Sequence, residues 1–283
     1  MKKAPVKKLP SKKQETTSET SKAPRQYLFS EKEHLHSLDG KPLIGTSSVM
    51  SIVAKPLTWW ASGEAVKMLG WTHPKETSKD TRLAAVQVKL GEIHQMEADS
   101  FLKLLDEAYA AHTKALTKSA QKGTDLHQKL ENYVKFCISN NSGKPVPAPS
   151  EFIAPFIGWA VANVDKFLWS ELHTYSETLW IGGITDAGAL MRDGKVAIID
   201  FKSSKDAYPN QFWQIGGYHL QLAENGGFTA TGERIVEPIK ADQHIIIPFG
   251  AKEFTTAVVN KPEANTEAFK AALTLYKANQ ALE

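Results

Sequence analysis

Residues 179–205 read "LWIGGITDAGALMRDGKVAIIDFKSSK". Two runs rich in apolar and β-branched residues flank Arg192-Asp193-Gly194, which predicts a β-hairpin. Loop length decides which side chains share a face. A two-residue loop, Asp193-Gly194, would pair Asp186 with Phe201 and send Asp186 and Asp200 to opposite faces. A three-residue loop with Gly194 in the left-handed region is the next commonest hairpin, and it pairs Met191 with Lys195. That register sets Asp186 opposite Asp200, and Lys202 follows on the same face. Taken alone, Asp200 and Lys202 two apart on a strand are equally well a salt bridge. The second aspartate changes the reading, because cross-strand neighbours lie about 4.5–5.5 Å apart at Cβ and like charges there repel. Two half-buried carboxylates held so close need a cation, and oxygen ligation suits Mg²⁺ or Mn²⁺. Lys202 then has a separate role, since an ammonium there can hold an attacking water or neutralise charge on a phosphoryl oxygen.

Outward from the hairpin, helical and strand periodicities alternate. "YLFSEKEHLHSLDGKPLIGTSSV" reads as short strands turning at Asp39-Gly40. "TWWASGEAVKMLGW" reads as a helix, with Trp59-Trp60 expected in helical core packing rather than in base stacking. Helical spacing covers 82–119, for example Phe101, Leu104, Leu105 and Ala108. A second helix is expected from about Thr124 to Ile138, and a third across "EFIAPFIGWAVANVDKFL". Strands then occupy about 170–201, a helix 210–224, a strand 242–248 and a final helix 264–281. The pattern predicts an α+β fold with a mixed, mostly antiparallel central sheet flanked by helices and a helical N-terminal elaboration. Residues 26–283 read as a single domain, with N-terminal strands and helices over 26–119 and a catalytic core over 120–283.

Composition bounds the function classes. With 42% hydrophobic residues among 283, the chain can bury a core. No apolar run approaches the roughly 18 residues of a membrane span. The one cysteine, Cys137, excludes a disulfide framework and any cluster of thiolate ligands, so no iron–sulfur cluster is expected. A reducing cytoplasmic setting fits best. Net charge is +3, but residues 1–25 alone carry +6, leaving the remainder at −3. This segment reads as a disordered basic tail, or as a loose electrostatic tether to nucleic acid or a protein partner.

With the hairpin read as D-(x)n-D-x-K, the chain resembles the PD-(D/E)XK nuclease superfamily, in its RecB-type exonuclease branch. Two further motifs carry the resemblance. "GTDLH", Gly123 to His127, matches the branch's G-x-x-x-H element, and "QIGGY", Gln214 to Tyr218, matches its Q-x-x-x-Y element. Thr185 replaces the proline of the superfamily's name. The likeness spans roughly residues 120–225 and implies a restriction-endonuclease-like core. It also implies a metal held by His127, Asp186, Asp200 and the Phe201 carbonyl, with Lys202 positioning the nucleophilic water. The helical spacing agrees in part: His127, Leu130, Glu131 and Val134 share one face, and Gln211, Gln214, Tyr218 and Gln221 share another. Gln214 and Tyr218 are expected near the metal or the nucleic-acid strand. Ser203 is expected to hydrogen-bond a phosphate, and Glu131 to support the site or lie on the surface. Glu171 or Glu177 adds a carboxylate, with nothing to choose between them. Gly216-Gly217 calls for a close neighbour that offsets its cost in a helix. The expected function is a metal-dependent DNA exonuclease of repair, recombination or replication. Its partners would be DNA and a recombination or replication protein. The alternatives are a non-cleaving nucleic-acid-binding module and a structure-specific endonuclease.

Overall fold

The computed structural model describes residues 25–54, 58–147, 152–250, 254–259 and 261–282. The basic tail expected over 1–25 therefore lies outside the described residues, Arg25 excepted. The N-terminal elements are β1 (Tyr27–Ser30), β2 (Leu35–Leu38), β3 (Lys41–Pro42), β4 (Ile44–Gly45) and α1 (Thr46–Met50). Helices α2 (Thr58–Lys67), α3 (Lys79–His94), α4 (Ala98–Asn140) and α5 (Ala154–Asn163) follow. Next come β5 (Val164–Ser176), β6 (Ile181–Met191), β7 (Val196–Lys202) and α6 (Pro209–Asn225). The chain closes with β8 (Gly227–Phe228), β9 (Arg234–Val236), β10 (Gln243–Pro248), β11 (Ala257–Val259) and α7 (Pro262–Gln280).

An eight-stranded sheet runs β11-β10-β7-β6-β5-β8-β9, with β4 beside β6. Among the described residues only the β10–β7 and β4–β6 pairs are parallel, so the mostly antiparallel α+β fold read from the sequence is the one observed. A strand buried on both faces needs no polar alternation, and β7 is such a strand, with Ala197 through Phe201 all buried. On one face Ile199, Phe201, Ile245 and Ile247 pack with Leu126, Leu130 and Val134 of α4 and with Phe156 of α5. On the other, Ile198, Ile246, Trp169 and Leu172 pack with Ile215 and Leu222 of α6. A separate three-stranded sheet, β1-β2-β3, packs through Tyr27, Leu38 and Leu43 onto Tyr175 and Phe228. Among the described residues no helix is long and apolar enough to cross a membrane.

Several elements differ from the sequence reading. The helical spacing over 82–119 belongs to two helices broken at Gln95–Glu97, and the second runs unbroken through Gly123 to Asn140. "VDKFL" is strand rather than helix, and a bulge between Val164 and Lys166 lets Val164 and Phe167, three apart as in a helix, both enter the α4-side core. The short strands β8, β9 and β11 carry too few residues for a periodic signal. Trp59 is 91% exposed and not core, and α2 contributes no buried residue.

Candidate active site

The hairpin turn has the three-residue geometry. Met191 N–H donates to Lys195 C=O at 2.8 Å, Gly194 N–H donates to Met191 C=O, and Gly194 has φ +83°. Pairs run from Leu190–Val196 down to Ala187–Ile199, and there the ladder stops. Asp186 is thus level with Asp200 but makes no backbone pair with it, one step short of the ladder expected. Its carboxylate Oδ2 instead accepts the Phe201 N–H at 2.7 Å. The irregularity has a partner in β5. Ser170 pairs with Ala187 and Leu172 with Thr185, leaving Glu171 level with Asp186 at φ +47°. A non-glycine residue at positive φ marks a local break in alternation. Accordingly Trp169 and Leu172, three apart, both enter the α6-side core.

This gap between β6 and β7 opens into a cavity of about 600 Å³ lined by His127, Glu171, Asp186, Asp200, Lys202, Gln214 and Tyr218. Asp200 and Lys202 lie on the α6 side, continuing the alternation of Ile198. Lys202 Nζ is 2.7 Å from Asp200 Oδ2 and donates to Gln214 Oε1 at 3.4 Å. Gln214 Nε2 in turn donates to the Tyr218 hydroxyl at 2.7 Å. His127 comes from α4, on the far side of the sheet, and its Nδ1 reaches to 3.8 Å from Asp186 Oδ2. One helix from each layer therefore meets the hairpin where its strands part.

The electrostatics follow from burial. Burial, and then the charge of Asp200, pushes the Asp186 carboxyl up to about 8. Burial pulls the Lys202 ammonium down, but Asp200 and Asp186 outweigh it and hold the lysine above its ordinary value. Burial raises the Tyr218 phenol well above its ordinary value, with both aspartates adding to it. Burial lowers the His127 imidazole, opposed by the charge of Asp200. Asp200 is 2% exposed, and its Oδ2 is held by the Lys202 ammonium at 2.7 Å. A buried carboxylate that faces both an ammonium and a carboxyl driven towards protonation is donor chemistry that a hard divalent cation suits. Among the described residues, no three His, Cys, Asp or Glu side chains converge closely enough to hold an ion unaided. The residues fit such a cation in chemistry, with a backbone carbonyl or substrate oxygen needed to complete the shell.

No family model matches the chain, and no curated protein matches it. Among solved structures, one titled "Crystal structure of SSO0001" aligns with 77% of this chain and 86% of its own, at 13% identity and a TM-score of 0.30.

The remaining expected residues are not all in the cavity. Ser203 is exposed beside α4, where a Cβ on Gly123 would lie 3.4 Å from its Oγ. Glu131 does not line the cavity; it pairs with Lys135 and accepts from Gln128. The Phe201 side chain is core, while its backbone hydrogen-bonds His127. Between the two candidate glutamates the geometry chooses Glu171, since Glu177 pairs with Arg25 at the surface. The opposite wall has no counterpart in the sequence reading. It comes from "GTSSV", where Thr46 donates to the Gly182 carbonyl at 2.9 Å and accepts from Gln221 at 2.7 Å. A Cβ on Gly183 would sit 2.7 Å from both Thr46 and Tyr218, so only glycine lets wall and helix meet over the strand. A hydroxyl-rich segment that ends a two-residue strand and opens a five-residue helix has no period, and no local signal ties it to β6.

Proposed function

We propose that this chain is a metal-dependent nuclease on the PD-(D/E)XK plan, acting on DNA and more as an exonuclease than an endonuclease. The observation that carries the reading is the trio Asp186, Asp200 and Lys202, gathered where β6 and β7 part, with one aspartate driven towards protonation by burial and by the other. A non-cleaving binding module has no use for that arrangement, because holding Asp186 level with Asp200 costs stability wherever both are ionised. Mg²⁺ or Mn²⁺ bound there would offset the carboxylate charge and polarise a phosphoryl oxygen. Asp186, Asp200, His127 and the Phe201 carbonyl are the groups that would hold it.

The chain's own groups do the rest. Lys202 Nζ, 2.7 Å from Asp200 Oδ2, is placed to orient a water for in-line attack on phosphorus. Gln214 fixes the ammonium from the side, and Tyr218 fixes Gln214, so the lysine loses little freedom when substrate arrives. His127 stands 3.8 Å from Asp186 Oδ2 and beside the Phe201 backbone, where its lowered basicity keeps a ring nitrogen free to take the cation.

The test is digestion of end-labelled single- and double-stranded DNA with Mg²⁺ or Mn²⁺, repeated in excess chelator. Cleavage is expected only with the cation, and mononucleotides or short oligonucleotides should be released from ends. Undiminished cleavage in chelator would overturn the metal role. No cleavage of any DNA under any cation would overturn the nuclease reading.

A further inference from the structure

Helix α1 belongs to the cavity wall but cannot hold itself in place. It has five residues and no side-chain cap, and isolated helices shorter than about 12–15 residues are marginal in water. Val49 and Met50 pack it onto Ile181, Phe269 and Leu273. Apolar contact of this kind brings surfaces together and is non-directional. Direction comes from Gln221 of α6, which is fully buried. Its Nε2 donates to Thr46 Oγ1 at 2.7 Å and to the Gly217 carbonyl at 3.0 Å, while its Oε1 accepts from the Thr174 hydroxyl of β5 at 3.0 Å. Thr46 passes its own hydrogen to the Gly182 carbonyl of β6. The amide fits one way only, since its oxygen, if reversed, would face the Gly217 carbonyl.

On the nuclease reading, we propose that Gln221 is a positioning residue for the substrate strand: through Thr46 it fixes the wall from Gly45 to Ser48 at a set distance from Lys202. Wall and lysine are referred to the same helix, because Gln214 and Tyr218, which hold Lys202, share α6 with Gln221. Ser47 and Ser48 are exposed and line the same cavity as Asp186, Asp200 and Lys202. In a space of about 600 Å³, a strand whose phosphate reaches the carboxylates also meets that wall. An apolar pair of the same shape would pack α1 onto α6 about as well as the hydroxyl and the amide do. A fully satisfied polar network instead selects one arrangement. The wall meets the strand before and during reaction alike, so its contribution is to affinity rather than to the chemical step.

The test uses the full chain, an end-labelled single strand and Mg²⁺. Thr46→Val keeps the shape and loses the hydroxyl; Thr46→Ser keeps the hydroxyl. Thr46→Val and Gln221→Leu should each raise KM about tenfold while kcat stays within about twofold. The double variant should be no worse than Gln221→Leu alone, because both remove one link, and Thr46→Ser should keep the parent's KM. A clamp that served folding alone would lower the denaturation midpoint and the active fraction, hence kcat, and leave KM untouched. Should Gln221→Leu fail to fold, the two Thr46 variants decide the matter. An unchanged KM in Thr46→Val, a loss confined to kcat, or a Thr46→Ser protein as impaired as Thr46→Val would overturn this proposal alone. A parent that cleaves no DNA would overturn it together with the nuclease reading.

Discussion

Lys202 joins two roles that a pair of substitutions can separate. Its ammonium is the partner of a carboxylate 2% exposed to solvent. Lys202→Ala should therefore cost about 3–5 kcal/mol of stability, the usual penalty for stranding a buried charge. It should also lower turnover by a hundredfold or more while DNA binding persists. Adding Asp200→Asn should recover most of the denaturation midpoint but none of the turnover. A double variant that cleaves DNA, or a single one as stable as the parent, would sink this role for Lys202. At this scale the sequence is legible wherever one period suffices. Asp186, Asp200 and Lys202 follow from a strand, and Gln214 and Tyr218 from one helix turn. His127, on the opposite layer, needs the resemblance, because no periodicity says that two helices meet at a gap between strands. Glu171 and Thr46 need the structure, since their places depend on a broken alternation and on a wall brought from a distant segment.

Helix α6 shows how a local cost reveals a neighbour. Glycine in a helix interior costs about 1 kcal/mol relative to alanine, so the Gly216-Gly217 pair signals that something approaches closely. That something is the backbone of α7: a Cβ on Gly216 would stand 2.4 Å from the Asn265 carbonyl oxygen, and one on Gly217 would strike Phe269 and Thr46. Gly216→Ala should therefore destabilise by about 1–3 kcal/mol, although helix propensity alone favours it. Chemical denaturation decides the sign, and a more stable variant would mean that α7 yields without cost. The sequence announces the contact but not which element makes it. The same limit explains α4. Gly123 reads as a boundary, yet the helix continues through it, while the true break at Gln95–Glu97 contains neither glycine nor proline.

For the whole molecule, titration should give a stability maximum near pH 6.5 in the absence of divalent cations. Burial lowers His36 to about 3, helped by His173 and His34, and burial lowers His244 to about 3, helped by His219. Both fold neutral and titrate near 6.5 when unfolded, so their contribution is complete above pH 6.5 and is lost as pH falls towards 3. Asp186 acts in the opposite sense. Burial and Asp200 raise it to about 8, so its contribution is present below the unfolded value near 4 and lost as pH rises through 8. Each group has a limiting slope of about 1.4 kcal/mol per pH unit, and below 6.5 the two histidines outweigh the one aspartate. Urea midpoints measured from pH 5 to 8.5 should thus peak, and His36→Gln should flatten the acid limb. A midpoint that climbs steadily down to pH 5 would refute the histidine assignment.

The wall of the cavity carries a consequence in time. Thr46 reaches Gly182 across 136 residues of chain and Gln221 across 175. A ribosome adding roughly 5–20 residues per second finishes the first of these partners on the order of ten seconds after Thr46 appears. Throughout that interval Leu38, Leu43 and Tyr27, each buried in the finished protein, have no β5 or β6 to rest on. The earliest part of the described chain to be synthesised is therefore among the last to find its place, and the nascent protein spends its youth showing an apolar surface to whatever chaperone stands at the tunnel exit.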